Sequence, residues 1–169
     1  ARVSDIYSSN GYIFNSITRE EIRDEENRTI SYEVKIVERG RDHIENVILQ
    51  GNEKTEDYVI KRELPFEVGD IFSAQHIRQA NQNLSNLQYF STVEPNVVIG
   101  SADGLVDVIF NLEEGRTTDI IFGLTFSGAT ADFPIIGFFR WTDNNFRGMG
   151  QEFSIGTEVS SFSQSLTFS

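Results

Sequence analysis

The chain has 169 residues, a formal net charge of -12 at pH 7 and no cysteine. The negative charge argues against nucleic acid or an anionic membrane surface as a ligand, because polyphosphates are bound by clustered Lys and Arg. The lack of cysteine excludes disulfides, thiolate catalysis and sulfur-rich metal sites. His43 and His76 are the only histidines and lie far apart in the sequence, which leaves little for a Ser/His/Asp or zinc site. We therefore expect no enzyme site, no metal and no cofactor.

Two stretches of the chain carry the same alternating pattern, which indicates half-buried strands. Apolar residues alternate with polar ones at Ile30, Tyr32, Val34 and Ile36, and again at Val106, Val108, Phe110 and Leu112. Each stretch ends in an acidic residue and a glycine, followed by arginine. We interpret the pair as an internal repeat, whose first copy is incomplete and whose second copy runs from about Arg41 to Gly115. The charged stretch from Arg19 to Asn27 is expected to be a solvated connection.

The second copy is expected to fold in the order strand, helix, helix, strand, strand. "HIENVILQGN" predicts a strand closed by a Gly51-Asn52 turn, and Thr55 is expected to cap a short helix that ends before Pro65. Ser73 is expected to cap a second helix with an apolar stripe, and the last two strands follow it. The predicted core consists of Ile77, Leu84, Leu87, Val106, Val108, Phe110 and Leu112.

Residues of this copy resemble a POTRA (polypeptide transport-associated) domain of the BamA-like bacterial outer-membrane assembly proteins. The resemblance rests on "VILQGNEKTEDYVIKREL", "GDIFS", "NLSNLQYFSTVEP" and "GLVDVIFNLEEG", with Gln88 where most members have glycine. "TTDIIFGLTFSG" and "GFFRWTDNNFRGMGQEFSIG" are similar to the opening barrel strands of that family. The resemblance implies an α+β fragment in three parts: the end of one POTRA domain (1–40), a complete β-α-α-β-β POTRA domain (41–117), and the first antiparallel strands of an incomplete transmembrane β-barrel (118–169).

Gly148 and Gly150 form a Gly-x-Gly that has two interpretations. In a phosphate-binding loop, a helix would begin directly behind the glycines, but Phe153, Ile155, Thr157 and Val159 instead alternate with polar residues. The pattern predicts a turn between two strands. Periodicity alone fits the edge of a soluble β-sandwich equally well, and the family resemblance favours a membrane barrel.

The resemblance implies a function in which unfolded β-barrel proteins are received by strand addition and inserted into the outer membrane. The implied partners are unfolded outer-membrane proteins, accessory lipoproteins and, through the barrel, membrane lipid, but not nucleic acid. The POTRA part would lie in the periplasm and the barrel in the bacterial outer membrane. Alternatives are a related two-partner secretion or translocation pore, and a surface adhesin or soluble binding protein.

Two strands are the candidate sites for client strands. The second strand of the POTRA domain is the edge strand in the family and holds Thr92, Val93, Val97, Val98 and Ile99. The first barrel strand, Thr118 to Ser127, holds Ile120, Phe122, Leu124 and Phe126, and Gly123 and Gly128 are expected to soften it. In the family, an acidic residue near the glycine after the first helix contacts an accessory subunit, and Glu67-Val68-Gly69 occupies that place here.

Overall fold

The computed structural model describes residues 3–25, 27–126, 135–160 and 164–169. Its helices are α1 (Val3–Ser9), α2 (Asp57–Lys61) and α3 (Ala74–Asn86), with a 3-10 turn at Phe146–Gly148. Its strands are β1 (Ser16–Asp24), β2 (Thr29–Val37), β3 (His43–Gln50), β4 (Phe90–Ile99), β5 (Leu105–Glu114), β6 (Thr118–Phe126), β7 (Ile135–Asp143), β8 (Phe153–Ser160) and β9 (Gln164–Phe168). No helix in the described ranges is long and apolar enough to cross a membrane.

The strands form three sheets, ordered β1-β2, β3-β5-β4 and β6-β7-β8-β9. The chain divides into two compact units, one of residues 1–50, 64–83 and 94–111 and the other of residues 51–63, 84–93 and 112–169. The order of β3, α2, α3, β4 and β5 matches the predicted strand, helix, helix, strand, strand.

The first unit contains the hairpin of β1 and β2, in which Ser16 lies opposite Val37 and Asp24 opposite Thr29. The prediction of a connection at Arg19 to Asn27 was wrong for its first part, which is strand. Charged residues lie on both faces of this strand, so its sequence shows no alternation of apolar and polar residues. The strand still forms, because its pairing with β2 uses backbone hydrogen bonds and needs no apolar face. β2 was correctly predicted as a strand, but its Ile30, Tyr32 and Val34 are exposed rather than half-buried.

The parallel pairing of β3 with β5 forms the other part of the first unit. His43 lies opposite Leu105 and Gln50 opposite Asn111, with an irregularity between Ile44 and Asn46. Along β5, buried residues alternate with half-buried or exposed ones, so one face of the sheet packs into the core. The buried side chains of this unit include Ile44, Ile77, Ala80, Val106, Val108 and Phe110, which confirms the predicted core there. Ser73 accepts the N–H of His76 at 3.4 Å, as a helix cap does.

The buried apolar side chains of the second unit include Val59, Ile60, Leu84, Tyr89, Phe90 and Leu112. Leu87 was wrongly placed in the helical stripe, because α3 ends at Asn86 and Leu87 is only half-buried. Gln88 next to it has a φ of 59°. That left-handed conformation is the one that glycine adopts without strain, which agrees with the glycine that the family resemblance implies at this position.

The last four strands form an antiparallel meander. Thr118 lies opposite Asp143 in β7, Asp143 lies opposite Phe153 in β8, and Ile155 lies opposite Phe168 in β9. Alternation along these registers places one apolar set on one face: Ile120, Phe122, Leu124, Gly137, Phe139, Trp141, Phe153, Ile155, Val159, Leu166 and Phe168. Arg140, Thr142, Ser154, Glu158 and Ser165 share the other face with three apolar residues, Ile121, Ile136 and Phe138. This pattern is typical of strands in membrane barrels. Ser127 and Gly128 lie outside the described residues.

Candidate functional site

The first candidate site is β4, one of the two edge strands of the three-stranded sheet. Of its predicted client-binding residues, three are half-buried and two exposed: Thr92, Val93 and Val97, then Val98 and Ile99. Gly100 donates its N–H to Leu105 O at 2.9 Å, toward β5. Because N–H groups alternate sides along an antiparallel strand, we expect the N–H of Val97 to point to the open side.

The second candidate site is β6, the first strand of the four-stranded sheet and one of its two edges. Three of its predicted client-binding residues are strongly exposed: Ile120 at 60%, Phe122 at 80% and Leu124 at 67%. Phe126 is the last residue of the strand. A Cβ placed on Gly123 would lie 2.5 Å from two ring carbons of Phe138, so this ring covers the space that the glycine leaves.

A polar network, which we call the junction network, lies beside the start of β6. It consists of the buried Thr55, Thr117, Asp143 and Asn145 with the half-buried Glu114 and the exposed Lys54. Its first branch joins the loop before α2 to the turn between β7 and β8. The Thr55 N–H donates to Glu114 Oε1 at 2.8 Å and its hydroxyl to Oε2 at 3.1 Å. The same hydroxyl accepts Asn145 Nδ2–H at 2.8 Å, and Asn145 Oδ1 accepts the Gly150 N–H at 2.8 Å.

The second branch of the junction network fixes the residue that precedes β6. The Thr117 hydroxyl donates to Asp143 Oδ1 at 2.7 Å and accepts from Lys54 Nζ at 2.8 Å. Lys54 also pairs with Asp143 Oδ2 at 3.3 Å, and the Asn144 N–H donates to Thr117 O at 2.9 Å. Thr55 and Asn145 are 1% and 0% exposed, so the loss of one partner would leave a buried polar group unsatisfied.

The role of Thr55 therefore differs from the predicted helix cap. The residue before α2 is Glu56, and no side chain caps this helix. The local signal of threonine before an acidic turn competes with partners far along the chain, and those partners determine the position of its hydroxyl. Within the loop, Asn52 donates to the Asp57 carboxylate at 2.9 Å. This bond is the main cause that lowers the pKa of Asp57; burial opposes it, and the nearby Lys61 lowers the pKa further.

Gly148 and Gly150 lie in the turn between β7 and β8 with φ of 75° and 64°. A Cβ on Gly148 would lie 1.8 Å from Lys54 O, and the Glu56 N–H donates to Gly148 O at 3.0 Å. Glycine is therefore required at 148 by both backbone angle and space. On Gly150, a Cβ would lie 2.7 Å from Arg62 Nη2. These glycines allow the turn to approach the loop and α2.

Glu67, Val68 and Gly69, the place of the expected accessory contact, lie in the first unit. Val68 is 63% exposed, and Gly69 has a φ of 94°. The Gly69 N–H donates to Ile44 O at 2.7 Å and the Glu67 N–H to Asp70 Oδ2 at 2.9 Å, which ties this surface turn to β3. Among the described residues, no cluster of His, Asp or Glu could hold a metal ion.

Comparison with known proteins identifies the class. The family model POTRA, described as surface antigen variable number repeat, matches residues 43–115. This match and the element order show that the chain contains a POTRA domain followed by antiparallel strands. BamA from Haemophilus ducreyi lacking POTRA domains 1-3 has the same fold, with a TM-score of 0.80 and 22% identity over 98% of this chain and 31% of that one. CdiB from Escherichia coli also shares the fold, with a TM-score of 0.53 and 16% identity over 92% of this chain and 27% of that one.

Proteins of similar sequence indicate which POTRA-containing proteins this chain resembles. A Treponema pallidum (strain Nichols) protein, provisionally named an outer membrane protein assembly factor, is 42% identical over 97% of this chain. BamA of Nitratidesulfovibrio vulgaris (strain Hildenborough) is 31% identical over 74% of it. The chain is BamA-like in sequence and in fold, which confirms the resemblance. It spans 20% of the length of the first relative and 16% of the second.

Proposed function

We propose that this chain is a segment of an outer-membrane protein assembly factor that receives unfolded β-barrel proteins by strand addition and helps to insert them. Its parts would be the end of one POTRA domain (1–40), a complete POTRA domain (41–117) and the first barrel strands (118–169). The POTRA part would lie in the periplasm and the strands in the outer membrane. The work would be non-covalent and require no catalytic group.

The exposed edge of β6 is the observation that carries this proposal. An edge strand presents unpaired N–H and C=O groups that bind another extended chain. Inside a bilayer each such group is costly to leave unsatisfied, so an incoming strand is favoured there irrespective of its sequence. The outward residues Ile120, Phe122 and Leu124 are 60–80% exposed and would contact apolar residues of the client or lipid.

The apolar face of the meander supports a position in lipid. β6 and β7 have nine residues each, close to the ~9–11 residues with which a tilted strand crosses the hydrocarbon core. Trp141 and Phe153 stack edge to face with ring centroids 6.0 Å apart, and Phe146 lies 4.9 Å from Phe153. Aromatic groups of this kind mark the membrane–water interfaces of barrels, and this one lies at the strand ends nearest the junction network.

β4 would provide a second place for strand addition, in the periplasm. Its backbone would bind unfolded clients, and Pro95 within the strand would limit unwanted pairing because it has no N–H. The exposed turn at Glu67, Val68 and Gly69 would contact an accessory lipoprotein.

Single cysteines test the β6 proposal, because this chain has none of its own. In the full-length protein, with any cysteines elsewhere replaced by serine, Phe122→Cys should form a disulfide with a cysteine in the last strand of an unfolded barrel protein. Leu166→Cys on β9 is the matched control, since Leu166 is 62% exposed on the same face and the backbone edge of β9 would be paired with the next barrel strand. Equal disulfide yields at both positions, or none at Phe122→Cys in a folded protein, would contradict the proposal.

Depletion of the full-length protein separates this function from its main alternative. An assembly factor is needed for many barrels, so depletion should lower the total content of outer-membrane barrel proteins. Loss of one secreted partner with unchanged barrel content would instead indicate a two-partner secretion pore, and loss of cell attachment alone would indicate an adhesin.

A further inference from the structure

The two ends of β6 are held in different ways. Thr117, directly before the strand, donates to Asp143 at 2.7 Å and accepts from Lys54 at 2.8 Å, within the junction network. The stretch from Phe122 to Phe126 pairs with β7 on one side and is an open edge on the other. Opening the first end disrupts buried polar groups in addition to the ladder. Among the described residues, opening the far end disrupts the ladder and the contact of Gly123 with Phe138.

Thr55 and Asn145 connect this anchored end to the POTRA domain. The Thr55 hydroxyl is the bridge, because it donates to Glu114 at the end of β5 and accepts from Asn145 in the β7–β8 turn. The Asn145 N–H in turn donates to Asp143 Oδ1 at 3.1 Å, the same oxygen that accepts from Thr117. The loop before α2, the end of β5, the turn and the start of β6 are thus joined by one continuous set of hydrogen bonds.

We propose that Thr55 and Asn145 are positioning residues that anchor the Thr118 end of β6, so that the strand opens from its Phe122–Phe126 end. The inference rests on the proposed function and extends to clients. An added strand aligns in one register, which the anchored end sets, and enters from the Phe122–Phe126 end. The POTRA domain then determines the register through the Thr55 hydroxyl without touching the client.

Hydrogen exchange of the β6 amides tests the anchor without any client. In the full-length protein in lipid nanodiscs, amides of residues 118–121 should exchange at least about tenfold more slowly than those of residues 122–126. Thr55→Val keeps the shape of the side chain and its N–H but removes the hydroxyl, which leaves Asn145 Nδ2 and Glu114 Oε2 without this partner. Exchange at residues 118–121 should then rise about tenfold, as expected for a buried hydrogen bond whose partners become unsatisfied.

Two further variants distinguish positioning from general stability. Thr55→Ser restores the hydroxyl and should return exchange at residues 118–121 to within about twofold of the natural protein. Thr157→Val makes the same chemical change on β8, outside the junction network, where the hydroxyl donates to Ser165 O at 3.2 Å, and should leave the β6 gradient unchanged. Equal exchange along β6 in the natural protein, or a uniform rise across all four strands in Thr55→Val, would overturn the proposal.

The client part has its own readout. Phe122→Cys should form disulfides with one client position in the natural background and with neighbouring positions as well in Thr55→Val. An unchanged single register in Thr55→Val would overturn this part. Absence of any disulfide in the natural background would refute the proposed function, while the exchange measurement would still decide whether the anchor exists.

Discussion

Gly148→Ala gives a direct test of the contact between the β7–β8 turn and the loop before α2. The added methyl group would lie 1.8 Å from Lys54 O, and a main-chain carbonyl cannot swing away as a flexible side chain can. The turn must therefore move. Its movement would break two hydrogen bonds, from the Glu56 N–H to Gly148 O and from Asn145 to the Thr55 hydroxyl.

The expected cost has two parts that a second variant separates. Gly69 also has a left-handed φ, 94°, but no atom lies within 4 Å of its added Cβ. Gly69→Ala should thus cost only the backbone strain of about 1–2 kcal/mol. Gly148→Ala should cost the same strain plus two hydrogen bonds at about 1 kcal/mol each, or about 3–4 kcal/mol in total.

Urea unfolding of the 169-residue chain in detergent measures both variants. Fluorescence of Trp141, the only tryptophan, reports the strand sheet, and far-UV circular dichroism reports the whole chain. A Gly148→Ala variant no less stable than Gly69→Ala would show that the turn does not pack on the loop as described.

Three other variants test separate parts of the structure. Leu84→Ala should lower the free energy of unfolding by about 2–5 kcal/mol, since this fully buried side chain would leave a cavity; a loss below about 1 kcal/mol would contradict its place in the core. Val97→Pro should weaken the binding of unfolded barrel peptides to β4 with the domain still folded, and unchanged affinity in a titration would exclude this edge. Asn52→Ala should raise the lowered pKa of Asp57, removing a stabilisation that exists above the unfolded pKa and is lost as pH falls through the folded one; an unaltered NMR titration of Asp57 would refute the assigned cause.

The parts of the fold that could be predicted are those that depend on residues close together in the sequence. The alternation in β5 and the spacing of Ile77 and Leu84 in α3 correctly indicated buried faces, because strand and helix periods follow from local geometry. β1 was missed for the same reason. Its charged residues do not alternate with apolar ones, and its partner β2 contributes the backbone ladder and the ring of Tyr32, over which Arg19 lies at 4.5 Å.

The junction network was beyond prediction from the sequence. Thr55 had the local signature of a helix cap, and Glu114 that of a polar strand end, yet the two bond to each other across a long stretch of chain. Single-sequence patterns carry no information on such pairs, because loop closure brings them together only in the folded chain. The glycines at 148 and 150 were the one usable signal, since two in a short turn indicate close approach of backbone.

The ring of Phe138 over Gly123 has a consequence for the history of this sequence. A side chain at 123 would force the partly exposed ring of Phe138 out of its present place, so a change at either position removes the contact that the other makes. Relatives that carry alanine or a larger residue at the first position should carry a small residue at the second, and the two should be inherited as a pair. Evolution from one residue pair to the other should pass through glycine at 123 with a small residue at 138. This intermediate leaves a gap in the packing but avoids the steric clash.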